Sequence, residues 1–252
     1  MKDNFSNQAE QYAGFRPHYP NALYDFIFSH VQSFDTVLDV ATGNGQVAST
    51  LADRFKQVYA TDISRKQLDN AVQKENIIYS VESAEQFSFP DNYFDLITVA
   101  QAIHWFDFNK FYAEVNRTLK KEGLIVVIGY GLIRVDERTN PIIDHFYKDV
   151  IGPYWDKERK HVDEEYRTIP FPFSEIESPT LFIEFEWTLD HFVNYLSTWS
   201  AVQHFIKEHN SNPVGCEMLQ SLQENWDTNQ TKKVSFPLFI KAGKKLNSVV
   251  AV

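Results

Sequence analysis

Residues 37–46 read Val37-Leu38-Asp39-Val40-Ala41-Thr42-Gly43-Asn44-Gly45-Gln46. An apolar run of strand length ends in two closely spaced glycines. Residues 45–56 then carry Val47, Leu51 and Phe55 at helical spacing. A buried strand that turns sharply into a helix sets a ligand at the carboxyl edge of a sheet. Gly43-Asn44-Gly45-Gln46-Val47-Ala48 fits G-x-G-x-x-G/A, and Asp62 closes the next apolar run about twenty residues on. The pattern implies a nucleotide-like ligand whose ribose meets Asp62.

Working outward, Leu23, Phe26, Ile27 and His30/Val31 share one face of a helix expected over 21–32. Short strands are expected at 36–40, 57–62, 76–81, 94–100 and 124–129. Ser64 and Asp107 stand where helix caps belong. The first precedes Leu68, Ala71 and Val72. The second precedes Phe108, Phe111, Tyr112, Val115 and Leu119, and Gly123 is expected to end that unit. Strands alternating with helices predict an α/β fold, a mostly parallel sheet covered on both faces.

The rhythm breaks after Gly131. Residues 132–180 are aromatic and proline-punctuated, with GPYW at 152–155 and IPFPFSEIESP at 169–179. Pro141 fits the first turn of a helix over 140–151. Such an insert is either a lid or substrate-binding segment or a packed surface insertion. Residues 180–187 alternate as a strand, with Leu181, Ile183 and Phe185 on one side and Glu184 and Glu186 on the other. Helical material follows to about residue 226. Residues 233–243 close as a strand in which Pro237 predicts an edge or a bulge.

The chain has 252 residues and a formal net charge of −10. An acidic surface opposes phosphate-backbone binding, so nucleic acid is not the expected partner. Cys216 is the one cysteine, which excludes an internal disulfide. The histidines show no metal-binding spacing, and no metal is expected. Neither a secretory signal nor a membrane span is expected from the hydropathy pattern, which suggests a cytoplasmic protein.

Asp39 narrows the ligand. A carboxylate on the strand that feeds the loop repels a pyrophosphate, which helix N-termini otherwise favour. A cationic ligand reverses that sign. S-adenosylmethionine has no phosphate and carries a sulfonium and an ammonium beside its adenine and ribose. An acid there suits the methionine ammonium, directly or through water, and the glycines serve close backbone approach.

LDVATGNG, YATDIS, SAEQFSFPDNYFDLITVAQAIHWF and LKKEGLIVVI together resemble the class I S-adenosylmethionine-dependent methyltransferases over residues 36–130. That resemblance implies a Rossmann-like, mostly parallel seven-stranded sheet with helices on both faces and an antiparallel C-terminal strand. One domain is expected: a helical cap at 1–35, a cofactor-binding core at 36–131, an insert or lid at 132–180, and C-terminal strands and helices at 181–243. Ala41 stands where the family usually has glycine, so the loop is expected to avoid positive φ there. By resemblance, Asp39 and the backbone from Ala41 through Gly43 to Gly45 approach the methionine part. Asp62 binds the ribose hydroxyls, and Ile63 packs on the adenine. Ala84 and Glu85 meet the adenine edge, and Ala100 and Gln101 lie beside the methionine group. AEQYAGFRPHYP (9–20), AQAIHWF (100–106) and YLSTWSAVQHF (195–205) resemble the trans-aconitate methyltransferase-like, type 11 subgroup.

In that subgroup the segment with Tyr12, Arg16 and Tyr19 folds over the cofactor. Arg16 is then a candidate to hold a carboxylate of the cofactor or of an acceptor. His104 is a candidate general base or a packing residue, and Trp105 a wall of the acceptor pocket or core. Thr198-Trp199-Ser200 either lines that pocket or packs a helix on the sheet. The expected reaction is methyl transfer to a small-molecule acceptor, with carboxylate O-methylation as one form, by a monomer or homodimer. Two alternatives stand beside it: a nicotinamide-dependent oxidoreductase, and an S-adenosylmethionine-binding protein without turnover.

Overall fold

The computed structural model describes residues 17–227 and 229–245. Five parallel strands form its centre: β1 (Thr36–Val40), β2 (Gln57–Asp62), β3 (Ile77–Val81), β4 (Phe94–Ala100) and β5 (Leu119–Tyr130). β6 (Ser174–Ile176), β7 (Phe182–Trp187) and β8 (Lys232–Lys244) complete the sheet. Its order is β3-β2-β1-β4-β5-β8-β6, with β7 paired to β8. The path holds seven strands as expected, and β7 adds an eighth. β8 runs antiparallel to β5, β6 and β7.

The apolar strands are buried on both faces because successive side chains enter different cores. Val37, Leu96, Leu124, Val126 and Ile128 join one cluster with Leu23 and Ile27 of α1 (Asn21–His30). Leu38, Val40, Ile97, Val99, Ile125 and Val127 join the other, with Phe111 and Val115 of α4 (Phe108–Thr118). The short α2 (Gln46–Leu51) and α3 (Arg65–Asp69) link the first three strands. Both expected caps form: Ser64 Oγ accepts from Gln67 N at 3.3 Å, and Asp107 Oδ1 from Lys110 N at 3.2 Å.

Two boundaries differ from expectation. α4 stops at Thr118, and residues 119–123 join β5 through an irregular register, with Phe94 opposite Leu119 but Leu96 opposite Leu124. Glu122 takes φ +61° there, so the turn precedes Gly123 rather than using it. Pro237 is neither at an edge nor a simple bulge. It sits where β8 passes from pairing with β7 (up to Phe182 opposite Pro237) to pairing with β5 (Tyr130 opposite Leu238).

The segment after β5 is ordered. α5 (Asn140–His145) begins beside Pro141 and continues as a π-helical turn over Phe146–Val150. A 3₁₀ turn (Gly152–Tyr154) and α6 (Arg159–Asp163) follow. α7 (Leu189–Ser197), α8 (Ser200–His209) and α9 (Cys216–Gln223) cover the first core. No helix among the described residues is long and apolar enough to cross a membrane.

Candidate active site

The strand ends meet at the carboxyl edge of β1, β2 and β4. Asp39 lies opposite Thr98 in the β1–β4 register and is only 1% exposed. Its Oδ1 accepts from Thr98 Oγ1 at 2.7 Å, and its Oδ2 from Thr42 Oγ1 at 2.5 Å. Burial raises its pKa to about 6, against the opposing pull of Thr42, Thr98 and the Ala48 backbone. Asp39 therefore grips the glycine loop from below.

Asp62 ties the loop from the side. Its Oδ2 accepts from Gly43 N at 2.9 Å and its Oδ1 from Ser64 N at 2.8 Å. The Thr42 N–H goes to Thr61 O and the Gly45 N–H to Thr42 O. Three loop N–H groups that a phosphate would need are thus already taken by protein acceptors.

Loop conformation corrects one expectation. Ala41 does not avoid positive φ; it adopts +53°, with Gly43 at +59° and Gly45 at +78°. Gln101, at the end of β4, also takes +53°. Two non-glycine residues in the left-handed region, at the ends of neighbouring strands, mark stored strain of the kind found at binding sites. A side chain at Gly43 would meet open space, whereas one at Gly45 would strike the Tyr79 hydroxyl. Gly43 therefore faces an opening, and Gly45 lets β3 approach.

Of the remaining cofactor candidates, Ile63 follows Asp62 and is half-buried, and Ala84 is buried. The Glu85 carboxylate turns toward α4: Ser83 Oγ donates to its Oε2, and Asp107 N to its Oε1 at 3.2 Å. Ala100 is half-buried at the end of β4. Tyr12 and Arg16 lie outside the described residues. Just after them, Pro17 O accepts from Gln46 Nε2 at 3.3 Å, which holds Pro17 at the start of α2.

A cavity opens beside Gln101. It is walled by His104, Trp105 and Tyr130 from the sheet edge, by Trp155, Asp156 and Arg159 from the segment after β5, and by Tyr195, Trp199 and Ser200 from the C-terminal helices. Trp199 lines the cavity and packs on Tyr147, Trp155 and Tyr195. Gln101 Nε2 donates to Tyr130 O at 2.9 Å, which fixes its amide. His104 gains an orienting partner that the sequence did not reveal, because its Nδ1 lies 2.9 Å from the Tyr166 hydroxyl. Burial, with the Arg159 charge nearby, pushes its pKa down to about 3. The ring is therefore neutral at physiological pH and a weak base.

Asp156, Arg159 and Tyr166 were missed from the sequence. A Trp155–Arg159 spacing of one helical turn was the available local signal; nothing local tied Tyr166 to His104, which lies 62 positions away. Among the described residues no cluster of His, Cys, Asp or Glu could hold a metal ion.

Comparison with known proteins agrees with this architecture. Residues 38–127 match the family described as "Methyltransferase domain". A Dictyostelium discoideum protein with a provisional methyltransferase name is 32% identical over 251 residues, spanning 96% of this chain and 95% of that one. The solved structure of a provisionally assigned type II methyltransferase from Anaeromyxobacter dehalogenans is 35% identical. It superposes with a TM-score of 0.85 over 92% of this chain and 99% of its own. A Rickettsia prowazekii ubiquinone/menaquinone biosynthesis C-methyltransferase is 32% identical over 138 residues, 49% of this chain and 54% of the relative. The extent of the first two matches, on a sheet with this strand order and this loop, means that the chain belongs to the class I methyltransferase family.

Proposed function

We propose that the chain transfers a methyl group from S-adenosylmethionine to a small molecule held in the cavity beside Gln101. The carrying observation is the loop itself. Its Thr42, Gly43 and Gly45 N–H groups are satisfied internally, and two carboxylates stand beneath and beside it. That chemistry favours a cationic ligand over a dinucleotide pyrophosphate. Open space at Gly43 admits close backbone approach. On this reading Asp62, Ile63 and Ala84 hold the ribose and adenine, while Asp39, through the loop, supplies negative potential for the methionine ammonium. When bound, the cofactor brings a methyl group already activated by its sulfonium.

The residues of the chain then orient and dehydrate. Gln101, with its amide fixed and its backbone strained, marks the boundary between the two ligands. Trp105, Trp155 and Trp199 present flat apolar walls that exclude water. Bringing two reactants into line supplies much of the acceleration in such a transfer. His104, neutral and held by Tyr166, is poorly suited to pull a proton from an acceptor. An acceptor that arrives already deprotonated needs no base, which favours transfer to a carboxylate oxygen. The acidic net charge and aromatic cavity favour a small molecule over nucleic acid.

Calorimetry tests the cofactor and a methyl-transfer screen tests the acceptor. S-adenosylmethionine and S-adenosylhomocysteine should both bind while NADH does not. NADH binding without either of them would overturn the cofactor assignment. Turnover confined to phenols or carbon acids in a panel of small acids, phenols and amines would overturn the carboxylate reading.

A further inference from the structure

Arg159 reaches the cavity wall from α6 with half of its hydrogen-bonding edge committed. Its Nε donates to the Tyr147 hydroxyl at 2.7 Å, and Asp163 Oδ1 lies 3.4 Å from the same nitrogen. The Tyr147 hydroxyl in turn donates to Asp163 Oδ1 at 2.5 Å. The guanidinium carbon sits 4.6 Å from the centre of the Trp155 ring and 5.3 Å from that of Tyr147. Its position is thus fixed at the inner edge and on its face. Among the described residues neither Nη1 nor Nη2 has an acceptor, although the side chain is only 25% exposed. A planar fork held from behind, with its outer nitrogens unmet, suits an oxyanion.

Asp156 lines the same cavity with the opposite need. Its side chain is 17% exposed, and its Oδ2 is buried without a hydrogen-bond partner among the described residues. His204 Nδ1 is 4.0 Å away but makes its hydrogen bond to Tyr154 O at 2.9 Å. Arg159 takes Asp163, not Asp156, as its ionic partner. Both polar groups therefore keep unmet atoms at the wall of the space that a molecule beside the tryptophans would occupy, Asp156 Oδ2 lying just beneath its surface. A buried carboxylate oxygen left unmet is costly, and a donor supplied by that molecule would remove the cost.

Building on the methyl-transfer reading, we propose that the acceptor is a small, flat organic acid bearing a second polar group. Its oxyanion sits on Arg159 Nη1 and Nη2, and its hydroxyl or amine hydrogen on Asp156 Oδ2. Arg159 is the positioning residue for the acceptor.

The test is calorimetric binding of the three hydroxybenzoate isomers, their carboxamides and their methoxy ethers to the full chain, with and without S-adenosylhomocysteine. For at least one isomer the acid should bind about tenfold or more tighter than its amide, the range of a charge-assisted hydrogen bond. Arg159→Gln should erase that difference and Arg159→Lys recover part of it. Asp156→Asn should erase the preference for hydroxyl over methoxy. S-adenosylhomocysteine affinity should be unchanged in all three variants. No preference for acid over amide in the wild-type chain overturns the proposal without reference to any variant. Weakened S-adenosylhomocysteine binding in Arg159→Gln overturns it too, by assigning Arg159 to the cofactor. Absence of S-adenosylhomocysteine binding in the wild-type chain would sink the cofactor reading instead, and the acid–amide comparison without it still decides the role of Arg159.

Discussion

The glycine loop and the tryptophan-walled cavity lie side by side and are built on opposite rules. In the loop, the carboxylates and N–H groups described are met from within the protein: Asp39 by Thr42 and Thr98, Asp62 by Gly43 and Ser64. In the cavity, Arg159 and Asp156 keep atoms with no protein partner among the described residues. A self-satisfied site is rigid before its ligand arrives. A site with unmet polar atoms is completed by what it binds. On the proposed reading, the loop offers the cofactor a preformed surface, and the cavity takes its acceptor through polar atoms that only the acceptor meets.

The sharpest way to break this contrast is at the loop. Gly45→Val adds a branched side chain at φ +78° and drives it into Tyr79. Strain and overpacking of about 1–3 kcal/mol each should weaken S-adenosylhomocysteine binding about a hundredfold. Calorimetry on Gly45→Val/Tyr79→Ala should recover part of that loss; no recovery would mean that Tyr79 is not what Gly45 accommodates.

Asp39 supplies the next effect. Its folded pKa of about 6 exceeds the usual 3.8, so the folded chain holds a proton that the unfolded chain has released. Stability should fall as pH rises from 3.8 toward 6, by up to about 3 kcal/mol. Asp39→Asn should flatten that part of the profile in urea unfolding. Parallel profiles for the two proteins would show that Asp39 titrates normally.

Asp62→Ala removes a partner from Gly43 and Ser64 and, on the proposed reading, from the ribose. A loss of about 1.5–3 kcal/mol in cofactor affinity is expected. Unchanged affinity would confine Asp62 to loop support. The smallest effect is expected at Ala41. Glycine relieves the left-handed strain at φ +53° but gains freedom in the unfolded chain. Ala41→Gly should therefore stabilise the fold by no more than about 1 kcal/mol in thermal or urea unfolding, and a clear destabilisation would show that the strain is not real.

The same division explains what the sequence could reveal. Strand β1, its glycines, Asp62 and the caps Ser64 and Asp107 are local: each was legible from neighbours within a few residues, and each stands where expected. Ala41 was misread because side-chain sterics suggested an ordinary backbone, while the hydrogen bonds of Asp39 and Thr42 hold the turn that strains it. The cavity is assembled from three distant segments. Trp155 meets Trp199 of the C-terminal helical region, and Tyr166 meets both His104 and Phe239 of β8. No periodicity encodes such encounters. Arg16 drew notice as an arginine between tyrosines, whereas Arg159 lies among other charged residues, Asp156-Lys157-Glu158-Arg159-Lys160, with nothing local to single it out.

The late arrival of β8 also has a consequence for synthesis on the ribosome. β1 to β5 are complete once residue 130 has emerged, but the far edge of β5 finds its partner only when residues 238–244 follow. At about 5–20 residues per second, that apolar edge waits roughly 5–20 s without a neighbour. A chain stopped at residue 231 should therefore aggregate where the full chain does not. During that interval the nascent protein presents a ready template for misplaced strands.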